Sequence, residues 1–317
     1  MENLLFCLNA TVPIFMLMVL GFFFRRIRLF NDAFVSQANK FVFTIALPVL
    51  VFRDLATTDF ISAWDTSFVL FCFGITLLCI LLAFFLSLFF RKKYSQGEFI
   101  QAAYRSSAAL LGIALIQNIY GDSGMAPLMI IGSVPLYNIM AVVVLEFFKP
   151  DQGNKKGFDK KLIFHTLKGI LTNPILIGIF LGILWSVLRV PMPKMLDKTL
   201  THVSNLATPL GLMAMGATFD IKRAFGCLQP ALLCTFMKLI GFVSLFLPLA
   251  LALGFRNSQI IAILIMLGSA TTVSSFVMAK NMGHDGVLSS SVVMLTTFFS
   301  AFTITFWLFL LKNGGFI

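Results

Sequence analysis

Apolar runs of about 20 residues follow one another along the whole chain, each long enough to cross the hydrocarbon core of a bilayer as a helix. Ten are drawn, at 4–24, 34–53, 67–90, 99–120, 125–148, 162–188, 202–219, 229–253, 258–280 and 287–311. Between them only 149–161 is a connection of any length, and no soluble domain fits. A water-soluble fold would have too little polar sequence to cover its surface, because only 12 % of the 317 residues are charged against about a quarter in soluble domains. This excludes an ordinary soluble enzyme, a nucleic-acid-binding module and a disordered chain. The start, Met1-Glu2-Asn3, is acidic and the apolar run continues to Phe24. It reads as a first span rather than a cleaved leader. The five cysteines lie within apolar runs and read as reduced core residues.

The net charge of +11 suggests nucleic acid in a soluble protein. In a spanning chain its first meaning is orientation, because cations collect in cytoplasmic loops. Fourteen Lys and Arg lie on one side of the ten spans, among them Arg25, Arg26, Arg28, Arg91, Lys92, Lys93 and the five lysines from Lys149 to Lys161. Six lie on the other: Arg53, Arg189, Lys194, Lys198, Arg256 and Lys312. Both termini are therefore expected on the non-cytoplasmic side of a multi-pass protein of the cell (inner) membrane. Its partner is the lipid bilayer, with no nucleic acid.

The chain matches itself without gaps at an offset of 161. Thr11, Pro13, Ile14, Gly21, Arg28, Ala46 and Pro48 fall on Thr172, Pro174, Ile175, Gly182, Arg189, Ala207 and Pro209. At an offset of 162, Ser107 and Ala108 fall on Ser269 and Ala270, and Asn138 meets Ser300. Apolar helices share Leu, Ile and Phe by chance, but here the matches are Pro, Gly, Thr and Arg. Each half holds five spans, an odd number, so the second half enters from the opposite side. The expected fold is all-α and integral to the membrane: ten helices in two inverted five-helix repeats, 1–148 and 162–317, joined by a cytoplasmic linker at 149–161. Many secondary transporters share this architecture.

Small and hydroxylic residues gather in the middle of two matched spans. Span 4 reads Tyr104-Arg105-Ser106-Ser107-Ala108 and continues to Gly112; span 9 reads Gly268-Ser269-Ala270-Thr271-Thr272-Val273-Ser274-Ser275. Such residues permit close helix crossing, and their hydroxyls satisfy backbone groups freed by a break. An interface between intact helices is the alternative; the coincidence under the repeat favours discontinuous, crossing helices. Half-helix N-termini there favour an anion. Pro48 and Pro209, at matched positions in spans 2 and 7, are kinks and candidate helix hinges.

Lys40, Arg105, Lys168 and Lys238 lie within spans, whereas no Asp or Glu lies deep in any. Three of these cations are near enough to a span end to extend to the interface. Lys238 is about nine residues in, roughly 13–14 Å at 1.5 Å per residue. A buried cation needs a partner, and either a cluster of carbonyls or an anionic substrate serves. The absence of deep carboxylates argues against a proton relay of acids. A sodium site of hydroxyls and carbonyls stays open, so coupling to sodium or to protons is undecided. His165, His202 and His284 read as solvated or interfacial residues. No phosphate loop, zinc-protease helix or nucleophile elbow occurs, so neither an enzyme nor a cofactor is expected.

These segments resemble the auxin efflux carrier family of permeases, particularly its bacterial members, over essentially the full length. The resemblance is carried by Val12-Pro13-Ile14-Phe15 through Gly21, Ala46-Leu47-Pro48, Tyr104-Arg105-Ser106-Ser107 with Gly112, Pro135-Leu136-Tyr137-Asn138, Asn173-Pro174, Lys238 with Pro248, and Val273 to Lys280 followed by Thr296, Thr297 and Ser300. It implies crossing broken helices at spans 4 and 9, a scaffold of spans 1, 2, 6 and 7, a transport domain of spans 3–5 and 8–10, and an elevator-type movement. Plant relatives carry auxin, bacterial ones are linked to malate, malonate and similar acids, and homodimers are common. The chain departs from the family in having Ser107 where Asn is frequent, and Ala114 and Ala270 where Pro is frequent.

The expectation is thus a secondary transporter of a small organic anion. Its substrate-binding candidates are Arg105, Ser106, Ser107, Gly112, Asn138, Thr271, Thr272, Ser274, Ser275 and Lys238. The alternatives are a carrier of a neutral or amphipathic solute, a channel, or a non-transporting membrane sensor.

Overall fold

The computed structural model describes residues 2–57, 65–90, 95–108, 116, 119–120, 125–149 and 172–317. Among these residues all regular structure is helical. The helices are α1 (Glu2–Arg26), α2 (Asp32–Ala56), α3 (Thr66–Ser87), α4 (Gln96–Tyr104), α5 (Ala126–Phe147), α6 (Pro174–Val187), α7 (Lys194–Ser204), α8 (Ala207–Thr218), α9 (Ile221–Gly226), α10 (Leu228–Ala252), α11 (Ser258–Gly268), α12 (Ser274–Asn281) and α13 (Val287–Asn313). Among the described residues, α2, α3, α5, α10 and α13 are long and apolar enough to cross a membrane. Their outward faces carry exposed side chains such as Leu70, Phe85, Phe236 and Phe302, as expected where the solvent is lipid. Most of the linker at 149–161 and the start of span 6 lie outside the described residues.

The two prolines matched by the offset sit at matched irregularities. In α2 a π turn at Val42–Ala46 precedes Leu47-Pro48. Pro48 has no N–H to offer the carbonyl one turn back, and the widened turn lets the helix continue past it. In the second half the helix stops at Ser204 and resumes at Ala207, with Pro209 in its new first turn. The turns after α1 and α6 also correspond: Arg28 has φ 62° and Arg189 φ 51°, both left-handed as at many helix C-termini.

Close packing follows the same register. Gly21 of α1 lies against the Met213 carbonyl of α8, and Gly182 of α6 against the Phe52 carbonyl of α2, where an added Cβ would stand 2.8 Å from the oxygen. The two glycines are 161 residues apart, and so are Phe52 and Met213. Gly216 meets the Met18 carbonyl, and Gly178 meets that of Pro48. With no hydrophobic force between helices in lipid, such backbone approach is what small residues contribute. The Arg53–Asp197 ion pair, at 2.9 Å, ties the end of α2 to α7.

Buried apolar residues form two large clusters. One joins α3, α4, α5 from Ala126 to Val144, α10, α11 and α13. The other joins α1, α2, α6, α8, α12 and the last turns of α5. The polar centre described next lies between them.

Candidate functional site

Helix α4 stops at Tyr104, where Arg105 turns to an extended backbone (φ −73°, ψ 131°). Helix α11 stops at Gly268, and the chain becomes helical again only at Ser274. The two interruptions touch: the Ser107 N–H donates to the Ala270 carbonyl at 2.9 Å. Both breaks form without proline. Their freed backbone groups are satisfied by side chains instead, as a low-dielectric interior demands. Thr271 Oγ1 donates to the Ala102 carbonyl at 2.8 Å, and the Thr271 N–H donates to Thr296 Oγ1 at 3.0 Å. Ser106 Oγ and Tyr137 OH both donate to the Met266 carbonyl. Gln101 Nε2 donates to the Ser275 carbonyl at 2.8 Å.

Arg105 is only 2 % exposed. Its Nη2 donates to Asn138 Oδ1 at 2.8 Å and Ser274 Oγ at 2.7 Å; its Nη1 faces Gln101 Oε1 and Met278 Sδ. Every one of these partners is neutral, and its Nε has none. Lys238, 1 % exposed, projects from a π turn in α10. Its Nζ donates to the Tyr104 carbonyl at 3.1 Å and to Ser106 Oγ. That carbonyl belongs to the C-terminal end of α4, where a cation is favoured.

A cavity of about 180 Å³ opens beside the break. A water needs about 10–15 Å³ of such space, so there is room for a small organic molecule. One wall is polar: Arg105, Ser106, Ser107, Asn138, Thr272 and Ser274. The facing wall comes from helices of the second cluster, with Leu47, Leu50, Val51 and Asp54 of α2, Ile175 of α6 and Thr208 of α8.

A family model described as Membrane transport protein matches residues 6–308. The chain belongs to this family, that of the auxin efflux carriers. A Rhizobium meliloti (strain 1021) protein named "Putative malonate transporter" is 22 % identical over 315 residues, covering 97 % of this chain and 96 % of the relative. "Uncharacterized transporter YfdV" of Escherichia coli (strain K12) is 27 % identical over 261 residues, 79 % and 78 % of the two chains. "Uncharacterized transporter MJ1031" of Methanocaldococcus jannaschii is 20 % identical over 319 residues, 96 % and 99 %. The protein is thus a multi-pass membrane protein of a transport family.

Among the candidates named from sequence in this member of the auxin efflux carrier family, Arg105, Ser106, Ser107, Asn138, Thr272 and Ser274 come together on the cavity wall. Thr271, Ser275 and Lys238 do not line it; Thr271 and Lys238 bond to backbone carbonyls, and Ser275 is buried behind the wall. Gly112 lies outside the described residues, as does Lys168. Lys40 is exposed, in keeping with a helix-end cation. His284 differs from its expected solvated setting: it is buried, with Nε2 2.8 Å from the Leu145 carbonyl. Asp54, Gln101 and Tyr137 were not among the candidates. Asp54 had a readable signal, because Leu47, Leu50, Val51 and Asp54 share one helical face at i, i+3, i+4 and i+7.

Proposed function

We propose that the protein is a secondary transporter of a small organic anion, a carboxylate such as malate, malonate or an auxin-like acid. The observation that carries this reading is Arg105: a buried guanidinium on a cavity wall, with only neutral hydrogen-bond partners. A cation withdrawn from water is costly unless compensated. A carboxylate entering the cavity compensates it through charge-assisted hydrogen bonds, to which guanidinium geometry is well suited. The N-terminus of α12, with Ser274, its cap Val273 and the preceding Thr272 at the cavity, adds the partial positive charge of a helix end. The name of the Rhizobium relative points to the same class.

The proposal includes ten helices in inverted five-helix repeats, 1–148 and 162–317, joined by 149–161. The Gly21–Met213 and Gly182–Phe52 contacts and the left-handed Arg28 and Arg189 support it. Spans 1, 2, 6 and 7 form the scaffold; spans 3–5 and 8–10 form the transport domain. Elevator-type sliding of one past the other alternates access to the cavity between them, with Pro48 and Pro209 as hinges. Both termini are non-cytoplasmic in the cell membrane, and the carrier is a homodimer without cofactor.

Reconstitution into proteoliposomes tests this. Saturable uptake of labelled carboxylates is expected, and runs with and without sodium and across pH assign the coupling ion. Movement of neutral or cationic solutes with no carboxylate moved would sink the reading. A neutral or amphipathic cargo is the second reading, favoured by the hydrogen-bond partners that the protein itself gives Lys238 and both terminal nitrogens of Arg105. Arg105→Glu separates the two: unchanged transport affinity supports the neutral cargo.

A further inference from the structure

The cavity has an acidic pole as well as a basic one. Asp54 lies on its scaffold wall, half-buried, one turn beyond Leu50 and Val51 on the same face of α2. Leu47 and Asp54 are seven residues apart, so that face extends over about 10 Å. The rest of that wall is largely aliphatic, with Leu47, Leu50, Val51 and Ile175. A cargo whose carboxylate meets Arg105 shares the cavity with the carboxylate of Asp54.

We propose that Asp54 selects the far end of the cargo, so that the site takes a monocarboxylate bearing a hydrogen-bond donor, such as a hydroxy acid or a half-protonated diacid, in preference to a fully ionised dicarboxylate. This rests on the anion reading above and narrows it: of the acids named there, malonate is taken in its half-protonated form and not as the dianion. Asp54 has a contact of its own within the protein, but an ionised carboxylate offers about four acceptor sites, so a cargo hydroxyl or N–H can join it. A second cargo carboxylate can not, because it brings no donor, and its like charge beside Asp54 is unfavourable. Discrimination of this kind, by a site that hydrogen-bonds a cargo hydroxyl or N–H, is the strong kind.

Three acids with the same three-carbon chain separate the possibilities: 3-hydroxypropionate, propionate and malonate. Their binding to the purified full-length protein is measured at about pH 7.5, where all three acids are ionised. The wild type is expected to bind 3-hydroxypropionate best, propionate less well and malonate most weakly. Asp54→Asn, whose amide can donate, is expected to raise malonate affinity relative to 3-hydroxypropionate by about tenfold or more. If wild type prefers malonate, or if the ratio in Asp54→Asn stays within about twofold, the inference is overturned while the anion reading stands. If none of the three acids binds, the inference is overturned, and the anion reading is decided by the wider carboxylate uptake assay above. The wild-type ranking decides the matter even if the variant does not fold.

Discussion

Arg105 and Lys238 stand on opposite sides of one helix break, and comparing them separates two meanings of a buried cation. Both are almost wholly buried, and neither has a carboxylate among its hydrogen-bond partners. Lys238 is closed in: its ammonium meets the Tyr104 carbonyl and Ser106, and these are the groups the break has freed. Arg105 is open on one side, with its guanidinium spread over neutral side chains at a cavity wall. The first charge is used to hold the fold. The second is left for something that arrives. Depth in the membrane does not distinguish them; the space next to the charge does.

The largest effect expected from breaking this contrast is at Lys238. Lys238→Met leaves two buried acceptors without a donor, at about 1–3 kcal/mol each. The melting temperature in detergent is expected to fall steeply, while the folded fraction keeps its carboxylate affinity. Arg105→Gln is expected to do the reverse. It removes charge-assisted hydrogen bonds worth roughly 1.5–3 kcal/mol, so carboxylate affinity drops about ten- to hundredfold by calorimetry, with a smaller change in melting. If both variants lower affinity alike, the division between them is wrong.

Two glycine substitutions calibrate the contrast. Gly21→Ala and Gly182→Ala each push a Cβ into a backbone carbonyl; overpacking of this kind costs about 1–3 kcal/mol. Losses of thermal stability at both sites with unchanged affinity are expected, the larger at Gly21, where the added Cβ would stand closer to the Met213 carbonyl oxygen than the 2.8 Å that separates it from that of Phe52 at Gly182. A large loss at one and none at the other would count against the matched packing. The smallest effect is expected for Gly74→Ala, because a Cβ there meets nothing within 4 Å. A change within about 0.5 kcal/mol is predicted.

Much of this was legible in the sequence because the membrane narrows the choices. Apolar runs gave the five helices that, among the described residues, are long and apolar enough to cross a membrane, and the hydroxylic stretches around Ser107 and Thr271 marked the interruptions, even though proline is missing from both. The glycine contacts were foreshadowed by the matched Gly21 and Gly182. What could not be read was partnership with backbone. Nothing in a sequence says that Lys238 will meet the carbonyl of Tyr104, since every residue carries a carbonyl. Acids at span ends were also misleading. Glu98 is buried and accepts the N–H groups of Gly286 and Ser289 at the start of α13, and Asp54, one residue past the drawn end of span 2, reaches the cavity because α2 runs on to Ala56. In both cases the helix geometry beyond the hydrophobic run decided the role.

The claim that Arg105 marks an anion site is tested most directly by transport in proteoliposomes. Wild type and Arg105→Gln are compared for uptake of labelled three-carbon carboxylates, with glycerol as a neutral control. Saturable carboxylate uptake by the wild type, lost or weakened at least about tenfold in KM by the variant, with no glycerol uptake, is the predicted result. Carboxylate uptake with the same KM in both proteins, or uptake of glycerol alone, would contradict it.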